Sequence, residues 1–265
     1  MYRAIPRRRS TTILIGASLV LAGTGLVQPA GAAAAPTCFN RTATIVVQPG
    51  SPPVQGTAGT DVIVGTEGAD PRIFGNGGID YICGRGGNDT LLSGGDGGDY
   101  IDGGTGDDAI NGNAGNDQLN GADGQDSEDG DDVYVWGGNG DDLLTSGDGY
   151  DVVAGQGGND RLYATGNSGG AMERMYGGDG DDLIVAGALD EGVGAWQLWG
   201  GNGRDRLIGS AGMDSLLGEA GDDTLDGRAG DDYLTCGTGL DSADGGAGFD
   251  RLTSGHGCET VTNVP

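Results

Sequence analysis

Between Gly200 and Thr262 one aliphatic or small residue returns at every ninth position: Leu207, Leu216, Leu225, Leu234, Ala243, Leu252 and Val261. The residues between them are mostly Gly, Asp and other polar types. The run divides without a gap into GGNGRDRLI, GSAGMDSLL, GEAGDDTLD, GRAGDDYLT, CGTGLDSAD, GGAGFDRLT and SGHGCETVT. Position four is always Gly. Position six is Asp in every unit except the last, where it is Glu259. A pattern this strict means a repeat architecture. Positions one to six read as a tight turn, in which Gly tolerates φ > 0 and lets backbone carbonyls approach a ligand. Positions seven to nine read as a three-residue strand with position eight pointing inward. Two units make one coil, so units i and i+2 stack on the same edge.

The same unit can be followed back through the chain. Units begin at Gly56, Gly65, Gly75, Gly84, Gly94, Gly103, Gly112 and Gly121, and those at Gly65 and Gly84 are ten residues long. These two are alternate units, so their extra residues are expected as matching bulges on one edge. The register blurs over 121–136. Two units, one of them shortened, or one unit with a large insertion both fit there; two are taken, with Val133 to Trp136 as the second strand. Units resume at Gly137, Ser146 and Gly155. Expanded turns follow at 164–176 and 186–199, flanking a regular unit at Gly177. Both expanded turns should project from one edge, one coil apart, forming a raised patch with Met172, Asp190, Glu191 and Val193 and with Trp196 near its base. The fold class is therefore all-β: a parallel β-roll or β-helix solenoid of about 22 units, about 11 coils, on the order of 50 Å long at roughly 4.8 Å per coil.

The position-six Asp supplies a hard anionic oxygen of the kind Ca²⁺ takes. The unit resembles G-G-x-G-x-D-x-U-x, the repeat of the RTX, or haemolysin-type calcium-binding, family. GGTGDDAIN (103–111) and GGDGDDLIV (177–185) match it at every defined position. The resemblance implies several Ca²⁺ ions between stacked turns, held by position-six carboxylates and turn carbonyls. Even units carry Asp70, Asp89, Asp108, Asp126, Asp142, Asp160, Asp182, Asp205, Asp223, Asp241 and Glu259. Odd units carry Asp61, Asp80, Asp99, Asp117, Asp151, Asp214, Asp232 and Asp250, with Val133, Glu173 and Trp196 at the remaining places. One continuous ladder and one broken ladder follow. If 121–136 is a single unit, the edge labels swap after it.

Composition sharpens this picture. Sixty residues are Gly, 40 are acidic, aromatics make up 5%, and all 13 basic residues are Arg. One inward aliphatic per unit cannot offset the entropy of ordering nine residues, so bound cations are expected to close the gap. The formal net charge of −27 argues against a nucleic-acid partner.

Met1 to about Ala35 reads as a secretory signal peptide. Arg3, Arg7, Arg8 and Arg9 precede the apolar Ile13–Val27 and a run of small residues. That apolar stretch is short for a membrane span, so no span is expected after cleavage and the chain is expected outside the cell. Many members of the family leave by an uncleaved C-terminal signal; an N-terminal one implies a different export route.

Pro36 to Gln55 departs from the repeat and reads as a cap, with Ala43 to Val47 as a strand. The roll then runs over 56–262, with a tail at 263–265. Four cysteines allow three connectivities; Cys38–Cys83 and Cys236–Cys258 are preferred, one staple near each end. A zinc site is not expected, because there is no C-x-x-C and His256 is the only histidine.

Two features imitate catalytic motifs but read as a Gly-rich turn insertion and as repeat positions, and a third, the Trp196/Trp199 pair, bears on binding. Gly166 to Gly170 (GNSGG) resembles a serine-protease nucleophile loop, but His256 lies about five coils, roughly 24 Å, away. The pairs Asp107-Asp108 and Asp222-Asp223 fall at positions five and six of the repeat. Trp199, at position nine, is expected to pack on the roll, whereas Trp196 is a candidate for sugar or partner binding. The expected function is that of a secreted, monomeric, non-catalytic calcium-binding protein with a structural or interaction role. An adhesion or ligand-binding protein, with a protein or glycan partner at 164–199, is the alternative. An accessory module of a secreted hydrolase is the third reading.

Overall fold

A computed structural model describes residues 34–123, 132–147, 149–164, 172–187, 195–253 and 258–264. All of the described strands lie in the unit Ala35–Pro265. The expected signal peptide, apart from its last residues, lies outside the described residues. Among these residues there is no helix. Short strands alternate between two parallel sheets, one of 11 strands and one of 12. Sequence neighbours lie in different sheets, and each strand pairs with the strand two elements away. Leu143–Thr145, for example, sits between Gln118–Asp123 and Arg161–Tyr163. The fold is the parallel β-roll that the nine-residue period implies.

Position eight builds the core. Ile82, Ile101, Ile110, Leu144, Val153, Leu162, Ile184, Leu207 and Leu216 are fully buried and form a single column between the sheets. The column ends openly at the C-terminus, where Leu252 is half-buried and Val261 is exposed.

The tight turns divide the work of glycine between two positions. Position four lies at positive φ in most units, as at Gly106 (114°) and Gly180 (135°), but not at Gly59, Gly68 or Gly212. Position one does not. Where it is Gly, a Cβ would strike a carboxylate oxygen of its own unit and a carbonyl of the next coil; Ser146 and Cys236 are exceptions.

Residues 121–136 correct the sequence reading. Strand Gln118–Asp123 belongs to the 12-stranded sheet, and Asp132–Asn139 pairs directly with Ala109–Ala114 in the 11-stranded sheet. The chain changes sheet once here, so the stretch is one unit with an insertion, and the roll has one unit fewer than the sequence reading counted. The reason is the inward position: a separate unit beginning at Gly121 would place Glu128 where an aliphatic belongs, and a buried unpaired charge is costly. Val135 fills that place instead, fully buried.

The ten-residue units stack on one edge, but no bulge interrupts their strand ladders. Their extra residue follows position six, and Ile73 pairs with Leu92 in unbroken register. The segment before Gly56 does more than close an end. Ile45–Val46 and Val54–Gln55 each add the outermost strand of one sheet. The antiparallel pair Thr37–Cys38 and Arg41–Thr42 packs Cys38 against Val62, Val64 and Tyr81. Both preferred disulfides are present: Cys38–Cys83 (Cα–Cα 5.8 Å) and Cys236–Cys258 (5.5 Å).

Candidate metal sites along two turn edges

The described position-six Asp side chains lie under their turns, out of solvent, whereas Glu259 at the last turn is exposed. On the edge leading into the 12-stranded sheet the order is Asp61, Asp80, Asp99, Asp117, Asp142, Asp160, Asp182, Asp205, Asp223, Asp241 and Glu259. Each of these Asp residues donates its backbone N–H to a carboxylate oxygen of the residue one coil on, at 2.6–2.9 Å. The ladder is continuous over its whole length. At its start Thr44 of the cap donates its hydroxyl to Asp61 Oδ1 at 3.4 Å.

The second edge carries Asp70, Asp89 and Asp108, and later Asp214, Asp232 and Asp250, joined by the same bond at 2.8–3.0 Å. Between the two groups it is broken. Val133, Asp151, Glu173 and Trp196 hold the intervening places, and the Trp196 N–H donates to Asp214 Oδ1 at 3.0 Å. One whole and one broken ladder are thus found, but their membership swaps at 121–136 because that stretch is a single unit. Asp126 lies outside the described residues.

The backbone bond uses only one carboxylate oxygen. The other, Oδ2, is buried without a hydrogen-bond partner in Asp80, Asp89, Asp99, Asp108, Asp117, Asp142, Asp160, Asp182, Asp205, Asp223, Asp232, Asp241 and Asp250. A carbonyl oxygen converges on the same spot. A methyl placed on Gly227 would meet Asp232 Oδ2 at 2.6 Å and Gly245 O at 2.7 Å; on Gly245 it would meet Asp250 Oδ2 at 2.5 Å and Asn263 O at 2.8 Å. Acceptors face acceptors there, an arrangement that needs a cation or a proton. Burial, the largest influence, pushes Asp99, Asp108, Asp142, Asp182, Asp205 and Asp232 up to about 7. It pushes Asp89, Asp117, Asp160 and Asp223 up to about 6. The accepted backbone hydrogen bond works against this rise.

The donor chemistry fits a hard cation. Among the described residues no three His, Cys, Asp or Glu side chains converge. Turns with Asp at position six instead offer carboxylate oxygens from stacked coils together with backbone carbonyls, the mixed oxygen set that Ca²⁺ accepts. All four cysteines are in disulfides, so no thiolate is left for a softer metal.

Position five forms an outer ladder that manages charge differently. Along the continuous edge Asn116, Asp141, Asn159, Asp181, Arg204 and Asp222 follow one another, each Asp flanked by Asn or Arg. Carboxylates never stack directly there, whereas at position six they do so at every coil.

Three position-six residues differ, and the nonapeptide pattern gave no warning of it. Asp61 Oδ2 accepts the Thr57 backbone N–H (2.5 Å) and hydroxyl (2.9 Å). Asp70 accepts the Thr66 N–H on Oδ2 (2.7 Å) and its hydroxyl on Oδ1 (3.0 Å). Asp214 Oδ2 accepts the Ser210 N–H (2.6 Å) and hydroxyl (3.0 Å). The signal was present as a hydroxyl residue at position two, G-[ST]-x-G-x-D.

Trp196 is only 4% exposed and belongs to the core, so it offers no surface for a ligand, contrary to the sequence reading. Trp199 packs on the roll as expected, stacked on Tyr176 with ring centroids 4.5 Å apart. Asp108 and Asp223 stand in the ladders beside the position-five Asp107 and Asp222, as the repeat reading of both pairs requires. Gly166–Gly170, His256, Asp190, Glu191 and Val193 lie outside the described residues.

A family model of the RTX calcium-binding nonapeptide repeat, four copies long, matches residues 55–91, 93–128, 136–169, 167–188 and 199–234, more than half of the chain. No curated protein matches it.

Proposed function

The chain belongs to the RTX calcium-binding nonapeptide-repeat family, and on that premise we propose that it is a secreted, non-catalytic β-roll that binds several Ca²⁺ ions and needs them to fold. The reading is carried by the buried row of Asp Oδ2 atoms that receive no hydrogen bond. Those oxygens, in Asp80, Asp89, Asp99, Asp108, Asp117, Asp142, Asp160, Asp182, Asp205, Asp223, Asp232, Asp241 and Asp250, are the proposed ligands, together with carbonyls at position one of the following coil. Bound calcium would supply the positive charge that carboxylates stacked at every coil require. An ion that binds only the folded state stabilises it by RT ln(1 + [L]/Kd) per site. Many such sites on a quasi-one-dimensional stack make the transition steep.

Secretion is proposed from the signal-like segment Met1 to about Ala35 and from the two disulfides, which suit an oxidising compartment. Among the described residues no helix is long and apolar enough to cross a membrane. A non-catalytic role is proposed because repeat units fill 56–262 and their carboxylate pairs are repeat positions. The test is far-UV circular dichroism during a Ca²⁺ titration from a chelated start, with disulfides intact. A steep coil-to-β transition is expected; an unchanged β signal in chelator would refute calcium-dependent folding.

One observation favours an added binding role. The stretches 165–171 and 188–194 lead into Met172–Asp179 and Ala195–Asn202, which are paired neighbours in one sheet. Both of those strands begin on the edge where the acidic ladder is broken. A protein or glycan partner docking there would lose its affinity on shortening of these stretches, while Ca²⁺ affinity stays unchanged.

A further inference from the structure

Resting on the reading of position six as the calcium ligand, we infer that the residue at position two decides which turns take an ion, and that Thr57, Thr66 and Ser210 make theirs cation-free. The contrast lies in how the second carboxylate oxygen is satisfied. In the turns of Asp61, Asp70 and Asp214 the position-two residue turns its backbone N–H and hydroxyl onto the carboxylate, within 2.5–3.0 Å. Two donors on one anion do the electrostatic work of a cation and occupy the space an ion would enter. In thirteen other turns Oδ2 receives no such bond. Asn76, Gln156, Glu219 and Arg228 stand at position two with φ of 70–80°, and Oδ2 of the Asp four residues on is left bare and buried.

Backbone sterics explain the division. The left-handed region is reached readily by Gly and Asn and is poor for β-branched Thr. Thr57, Thr66 and Ser210 are not among the residues at positive φ. Local Ser and Thr hydroxyl bonds to the chain then favour the alternative turn. The capped turns are not scattered at random. Thr57 and Thr66 close both edges of the first full coil, beside the Cys38–Cys83 staple. Ser210 closes the first turn after the break in the second ladder, against Trp196.

Neighbouring turns allow a reciprocal exchange within sequences the chain already uses. Ser210→Gly gives GGAGMD, close to the natural GGAGFD at 245–250, whose Asp250 Oδ2 is bare. Glu219→Thr gives GTAGDD, close to the natural GTAGTD at 56–61, whose Asp61 is capped. Glu219→Gln removes the same charge but keeps an open turn. Bound ions per full chain are counted by equilibrium dialysis against ⁴⁵Ca²⁺ at saturation. Relative to the unaltered chain, Ser210→Gly is expected to bind about one ion more, Glu219→Thr about one fewer, and Glu219→Gln the same number. Equal counts in all four proteins would overturn the role of position two while leaving the calcium reading intact. No bound ion in any of them would overturn both.

Discussion

At the residue scale, the position-six Asp is asked to be an anion in a dry turn. Its place in the turn was legible because Asp recurs at a fixed position after an invariant Gly. The capping by Thr57, Thr66 and Ser210 was not, because the pattern treats position two as free and only backbone geometry distinguishes the two turn forms. Position one gives a clean test of the donor cradle. Gly227→Ala would push a methyl between Asp232 Oδ2 and Gly245 O. It should raise the Ca²⁺ midpoint and destabilise the calcium-bound roll by about 1–3 kcal/mol. Gly68→Ala meets nothing within 4 Å and should stay within roughly 0.5 kcal/mol in the same melts. The raised carboxyls set a pH dependence whose sign depends on calcium. Their pKa of about 6–7 in the fold exceeds the ordinary value of 3.8, so the folded chain binds more protons than the unfolded one in between. Metal-free stability is then greatest near or below pH ~4 and is lost as pH rises through about 7. In saturating Ca²⁺ protons compete with the ion, so stability should rise across the same window. Denaturation midpoints from pH 4 to 8, with chelator and with calcium, check both signs.

At the element scale, the three-residue strand and the six-residue turn were readable from period alone, and so was the pairing of strand i with strand i+2. The error at 121–136 shows what period leaves out. A run of Gly and Asp can imitate a unit while lacking the aliphatic that fills a place in the column, and Glu128 is no substitute for Val135. The cap was only half legible: a strand near Ile45 was expected, but its parallel seat on the first coil depends on tertiary pairing. The two staples should matter unequally. Cys38–Cys83 closes a separation of 45 residues and Cys236–Cys258 one of 22. Chain-entropy reasoning assigns them about 4 and about 3 kcal/mol. Cys38→Ser/Cys83→Ser should therefore lower the denaturation midpoint in calcium more than Cys236→Ser/Cys258→Ser. The first pair also holds the aromatic stack of Tyr81 on Tyr100, with centroids 4.9 Å apart and Phe39 against both.

At the scale of the whole molecule, the roll stacks carboxylates at every coil of one edge and most coils of the other, in a chain of net charge −27. On the proposed reading such a stack is one cooperative body only while counter-charge is present. Its coils are joined sideways, strand to strand, and the chain threads them in strict sequence. A pull on the two ends therefore loads the coils as a series of links, and each yields separately. One regular coil of about 18 residues releases roughly 60 Å of extended chain. A force-extension trace in calcium should show a train of near-equal steps, with longer steps where 121–136, 164–176 and 186–199 lie. The stapled spans 38–83 and 236–258 withhold their length until a reductant is added. On the calcium-bound reading the roll is a spool, locked near both ends, whose resistance to unwinding should follow the calcium around it.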